Sequence, residues 1–157
     1  MSILSGGGFT FETKCLLDTI KADFHFVYLK TEFGGTPGVG GIPDAEWHAV
    51  PAFSSLTPKS FRKSAVAFGK TFVCAAGLLS RKRIDLVICV GCSHSVPMLL
   101  AGRLFRRKTA FVESITRVDK LSNTGRLVYH LRLAGTFIVQ WPTLQSIYPR
   151  SRLGTIL

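Results

Sequence analysis

Acidic residues are scarce in this chain. Nine Asp and Glu stand against 20 Lys and Arg among 157 residues, a formal net charge of +11, and no acid occurs between Glu46 and Asp85. Such a field favours a polyanion, an anionic membrane surface or phosphorylated ligands, while aromatic and basic residues alternate too loosely to suggest a nucleic-acid stacking surface. No run reaches the ~18 uncharged apolar residues of a membrane-spanning helix. No signal peptide is expected, since the first residues pass straight into a glycine cluster. Cys89 and Cys92 have CxxC spacing, but a second CxxC to complete a zinc site is lacking. The four cysteines therefore read first as free cytosolic thiols, with redox work and metal binding as alternatives. The GxGxxG spacing of a dinucleotide fold is absent, and Ser93 lacks the GxSxG elbow of a hydrolase. The length fits one domain, residues 1–157, and is too short for two full Rossmann-like halves, which points to a partner for the open side.

What is present is organised around residues 84–113. They read IDLVICV, GCSHS, VPMLLAGRLF, RRK and TAFV, ending on Glu113. An apolar run of strand length, a Gly/Ser turn, a Pro at the first helical position and a second β-rich run describe one βαβ unit of a parallel sheet. Sites in such sheets open at the carboxyl ends of the strands, where helix N-termini leave N–H groups unpaired. Two segments, 91–95 and 113–117, thus become candidate site segments.

Ile3 and Leu4 end a first strand that is short for a sheet member, which leaves open whether the element normally begins earlier. Gly6, Gly7 and Gly8 follow, either as a loop contacting an anion or as a plain tight turn. Thr10 is the expected N-cap of a helix over 11–20. Residues 24–30 predict a second strand, 31–45 a mobile glycine-rich surface loop either over the site or merely exposed, 47–50 a short third strand and 51–58 a connection. A long helix is predicted over 60–79, with Phe61, Ala65, Phe68, Phe72 and Leu79 on one apolar face. From Phe72 to Leu79 it is apolar all round, and Arg81, Lys82 and Arg83 close it. Such a helix is either buried with a dipole-complementing basic end or covered by a partner or lipid. A second helix over 124–134, stopped by Gly135, and a strand over 136–140 complete the pattern.

Glu113, a lone carboxylate at a strand end, suits a sugar hydroxyl or general-base role; Arg117, four residues on, could pair with it or hold a phosphate. Ser93 and His94 are adjacent, so their side chains diverge and a hydrolase is disfavoured. His94 reads equally as a loop hydrogen-bonding group or a phosphate neighbour. Gln140 and Trp141 end the last strand on the same edge, with Trp141 better suited to core packing than to ligand stacking.

The segments GCSHSVP (91–97), FVESITRVDKLSNTGRLVYHL (111–131) and FIVQWPTLQSIYP (137–149) resemble the Alg14/PssD family of glycosyltransferase subunits. The resemblance is strong over 84–157 and looser over SGGGFTFE near the N-terminus. It implies an α/β, Rossmann-like parallel sheet with flanking helices, like the N-terminal half of a GT-B glycosyltransferase. It further implies an Alg13/PssE-like second subunit, an inverting UDP-sugar donor reaction, a polyprenyl-pyrophosphate-linked acceptor and the cytoplasmic face of a membrane, with no metal or other cofactor. The implied substrate-binding residues are Gly7, Gly8, Thr10, Ser93, His94, Glu113, Arg117, Gln140 and Trp141, with Glu113 the candidate catalytic group. The implied membrane-contacting residues are Lys63, Phe68, Lys70, Phe72, Leu78, Arg81, Lys82 and Arg83. The chain departs from the family pattern at Phe9, where a histidine is usual; a phenyl ring moves no proton. Two other readings stand beside this one: a non-catalytic membrane scaffold that recruits a transferase, and a soluble nucleotide-binding enzyme.

Overall fold

In the computed structural model, residues 1–53 and 61–156 are described. Strand β1 (Ser2–Leu4) pairs in parallel with β2 (Val27–Lys30), and β2 with β3 (Glu46–Ala49). Strands β4 (Leu86–Val90), β5 (Lys108–Val112), β6 (Thr136–Val139) and β7 (Arg152–Leu153) form a second parallel group in that order. The two groups meet at β1 and β4. The Met1 amino group donates to the Leu86 carbonyl at 2.7 Å, and Ile88 N–H donates to the Met1 carbonyl at 2.9 Å. The resulting order is 3-2-1-4-5-6-7, and its direction reverses between β1 and β4, the position where open α/β sheets place ligands.

The helices are α1 (Gly8–Ile20), α2 (Phe61–Arg81), α3 (Ser95–Leu104), α4 (Asn123–His130) and α5 (Pro142–Ile147). Alternation along β4 explains why both faces are covered. Val87 and Cys89 join Leu79, Met98, Leu99 and Phe111 in the main core under α2 and α3, whereas Ile88 and Val90 join Leu16 of α1, Ala110 and Val112 on the other side. Leu99 is fully buried in the main core, and its truncation to Ala would cost about 2–5 kcal/mol.

Several boundaries differ from those the sequence predicts. Helix α1 starts at Gly8 with Gly7 as its N-cap at φ 62°, so Thr10 sits inside the first turn, its N–H donating to the Gly7 carbonyl at 3.0 Å. Strand β2 starts only at Val27, after exposed Phe24 and His25. Pro97 is the third residue of α3 rather than its first, still within the turn whose N–H groups lack intrahelical partners. Helix α4 begins at Asn123 and ends at His130, four residues short of expectation, because Arg132 turns the chain at φ 52°. The 31–45 segment is anchored rather than simply exposed: Ile42 is buried with Leu4, Leu17 and Tyr28, and Gly38 N–H donates to its carbonyl at 3.0 Å. Helix α2 runs two residues further than predicted, to Arg81; its expected start at Ser60, most of the 51–58 connection and Leu157 lie outside the described residues.

Candidate functional site

The turns at the strand-exit edge are tied to one another by side chains. Glu113, which follows β5, is fully buried. Its Oε1 accepts from Ser114 N–H at 3.0 Å, and its Oε2 accepts from Ser122 N–H at 3.0 Å and Ser122 Oγ at 3.1 Å. Ser122 caps α4 by accepting from Gly125 N–H at 2.9 Å. Burial raises the Glu113 carboxyl above its ordinary range, opposed by the hydrogen bonds from Ser114 and Ser122 and, more weakly, by the Arg117 charge. The carboxylate read as a partner for a sugar hydroxyl or as a general base therefore points inward and holds the turn between β5 and α4.

Four further hydrogen bonds hold that turn. Ser114 Oγ and Ile115 N–H donate to Glu12 of α1 at 2.6 and 3.2 Å. Gln140 Nε2 donates to the Glu113 carbonyl and Trp141 Nε1 to the Ile115 carbonyl, at 2.9 and 2.6 Å. Trp141 is thus a turn-holding residue on the surface, 37% exposed, rather than a core filler. Arg117 is exposed on the same turn and forms no ion pair among the described residues, so of its two readings the pair with Glu113 is not formed there. Glu12 is the site residue hardest to read from sequence. It lies past the first turn of α1, where a charged side chain ordinarily faces water, and its partners lie more than a hundred residues away.

At the β1/β4 reversal the two glycine turns come together. Gly91 has φ 55°, and the space a side chain there would need is filled by the Phe9 ring. Gly7 and Gly8 are exposed, Ser93 is exposed, and Thr10 Oγ1 is buried without a hydrogen-bond partner among the described residues. His94 turns away from this opening: its Nε2 lies 3.0 Å from the Pro51 carbonyl and its ring meets Phe53 edge-on at 4.5 Å. Burial lowers its pKa, against the Pro51 contact.

That histidine links the start of α3 to one wall of a groove of about 570 Å³. Phe33, Pro51, Phe53, Val66 and Ala67 supply apolar lining, and Arg62, Lys63 and Lys70 bring positive charge, with Glu32 the acid among them. Of the residues expected at a membrane, Lys63, Lys70, Arg81 and Arg83 are exposed and Phe68, Phe72 and Lys82 half-buried. Lys82 is held by Glu46. Leu78 is only 7% exposed in the core beneath α2, so it cannot meet lipid without unfolding.

A family described as "Oligosaccharide biosynthesis protein Alg14 like" matches residues 56–157. The chain is 45% identical over 87 residues to the rat "UDP-N-acetylglucosamine transferase subunit ALG14" and 44% identical over 87 residues to the human protein of the same description. Each match covers 51% of this chain and 39% of the relative. The Yarrowia lipolytica protein is 30% identical over 105 residues, covering 63% of this chain and 48% of that relative. Among solved structures, Acinetobacter baumannii MurG matches with a TM-score of 0.69 at 16% identity, covering 90% of this chain and 41% of MurG. That likeness concerns the fold alone, a Rossmann-like sheet of the GT-B type. The family match extends over well more than half of the sequence, and the chain belongs to the Alg14-like oligosaccharide biosynthesis family.

Proposed function

We propose that this chain is the acceptor-presenting subunit of a two-part, UDP-sugar-dependent glycosyltransferase that extends a lipid-pyrophosphate-linked glycan. In this reading it works with an Alg13/PssE-like donor-binding subunit at the cytoplasmic face of a membrane. The observation that carries the reading is the groove of about 570 Å³ in which Phe33, Phe53 and Val66 lie beside Arg62, Lys63 and Lys70. An amphiphile with an apolar chain and a diphosphate needs both kinds of surface. His94 ties this groove to the strand-exit edge, where exposed Gly7 and Gly8 begin α1 and leave backbone N–H groups for a diphosphate. The donor suggested by the relatives' description is UDP-N-acetylglucosamine.

In the reaction an acceptor hydroxyl attacks the anomeric carbon, the bond to the UDP oxygen breaks, and the sugar is transferred with inversion. Glu113 acts here as a positioning residue, because its oxygens are committed to Ser114 and Ser122. The hydroxyl proton passes to another group of the assembled enzyme. Exposed α2 residues such as Val66 and Val73, with Lys70 between them, support a peripheral membrane contact.

The test is reconstitution of the purified chain with a candidate second subunit, a lipid-linked acceptor and UDP-N-acetylglucosamine. Transfer should require both polypeptides, and Lys63→Glu/Lys70→Glu should raise the acceptor KM about tenfold or more while leaving the donor KM unchanged. Full activity of this chain alone, or an unchanged acceptor KM in the variant, would overturn the assignment.

A further inference from the structure

The edge of the sheet where the strands begin lies opposite the glycine turns and is strongly basic. Residues 81–83 precede β4, 106–107 precede β5, Arg132 precedes β6 and Arg150 precedes β7. Between α3, the α4–β6 turn and the segment before β7 lies a cavity of about 370 Å³ lined by Arg103, Tyr129, Arg132, Arg150, Gly135 and Phe137, among others. Its lining contains no carboxylate, and none of the three arginines forms an ion pair among the described residues.

One of the three is held in place. Arg150 Nη2 donates to the Tyr129 carbonyl at 3.1 Å, and its guanidinium stacks 4.3 Å from the Tyr129 ring centroid. Tyr129 is itself fixed between Phe137 and Tyr148, with ring centroids 5.4 and 5.1 Å away. This contact spends one of the five guanidinium donors and orients the fork, so little side-chain freedom is lost when an anion arrives. Three guanidiniums match an oxyanion that carries more than one charge and several acceptor oxygens, as a phosphate or phosphomonoester does.

We infer that this cavity is a binding site for a phosphate-class anion, separate from the strand-exit edge and independent of the transferase reading. The anion is either free phosphate or the phosphate of a lipid headgroup. Leu104 and Phe105 follow Arg103 in the chain and Leu131 precedes Arg132, and all three are exposed at 64%, 38% and 59%. They set apolar side chains beside the arginines, as a surface resting on lipid would require.

The experiment compares wild type with Arg103→Gln/Arg132→Gly. Glycine suits the positive φ at position 132, so the double variant loses two charges without backbone strain. Thermal melting of the full chain is followed against inorganic phosphate, with chloride balancing ionic strength. Wild type should gain stability saturably, with an apparent affinity about tenfold or more tighter than the variant's. Equal phosphate responses in the two folded proteins, or no response in wild type, would overturn the site. Sedimentation with vesicles containing phosphatidic acid, against phosphatidylserine vesicles of matched charge, then separates the sources. Selective loss of phosphatidic acid binding in the variant points to a headgroup. Unchanged vesicle binding with a lost phosphate response points to free phosphate.

Discussion

Ser114 Oγ donates a 2.6 Å hydrogen bond to Glu12 Oε1, joining α1 to the turn after β5 across 102 positions of sequence. Both side chains are nearly inaccessible, and Ile115 N–H donates to the second Glu12 oxygen. Removing the carboxylate takes the acceptor from Ile115 N–H and leaves Ser114 Oγ only Thr116 Oγ1 as a partner. Glu12→Ala should cost about 2–4 kcal/mol in urea denaturation, and amide exchange should quicken at 114–118 before it does so in β5. Equal protection of those amides in variant and wild type would contradict the turn-holding role.

Glu113 predicts a pH dependence of definite sign. Burial raises its folded pKa above the ordinary value of 4.5, so the folded chain binds this proton more tightly than the unfolded chain does. Its contribution is therefore greatest below pH 4.5 and falls as pH rises through the folded value. Glu113→Gln stays neutral throughout. The stability of wild type relative to this variant should decline between acid and neutral pH, measured as urea midpoints over that range. A pH-independent difference would mean that the folded and unfolded pKa values coincide.

Gly125 offers a separate check on the same carboxylate. A Cβ at this position would overlap Glu113 Oε2, which is fixed by Ser122. Gly125→Ala should therefore destabilise by about 1–3 kcal/mol despite alanine's better helix propensity. A stabilised variant would show that the carboxylate can move aside freely.

The parallel βαβ unit was legible because its signals are local. The apolar run of β4, the Gly91 turn and the apolar α3 follow one another in sequence. The direction of Glu113 was not legible, because it depends on the α4 cap at Ser122 and on neighbours brought in by α1 and β6. Gly7 displaced Thr10 as N-cap because a glycine turn at positive φ starts the helix sooner than a side-chain cap would. His94 was legible only as a polar loop residue; its contact with Pro51 comes from the packing of α3 against the exit of β3. The strand order likewise rests on the hydrogen bonds joining Met1 to Leu86 and Ile88, a pairing no periodicity reveals.

Phe9 allows the reversal point between β1 and β4 to be tested for chemistry. Its half-buried ring occupies the space beside Gly91, so position 9 bridges the two glycine turns. The sequence resemblance implies a histidine at this position, and an imidazole here would reach the same opening. Phe9→His should cost about 1 kcal/mol of stability through lost apolar burial. In the reconstituted enzyme it should also add a rising limb to the pH–rate profile near pH ~6.5, with several-fold higher turnover above it. Phe9→Leu, which keeps an apolar side chain, should add no such limb. A histidine variant whose profile is parallel to wild type would show that position 9 does not touch the transferred proton.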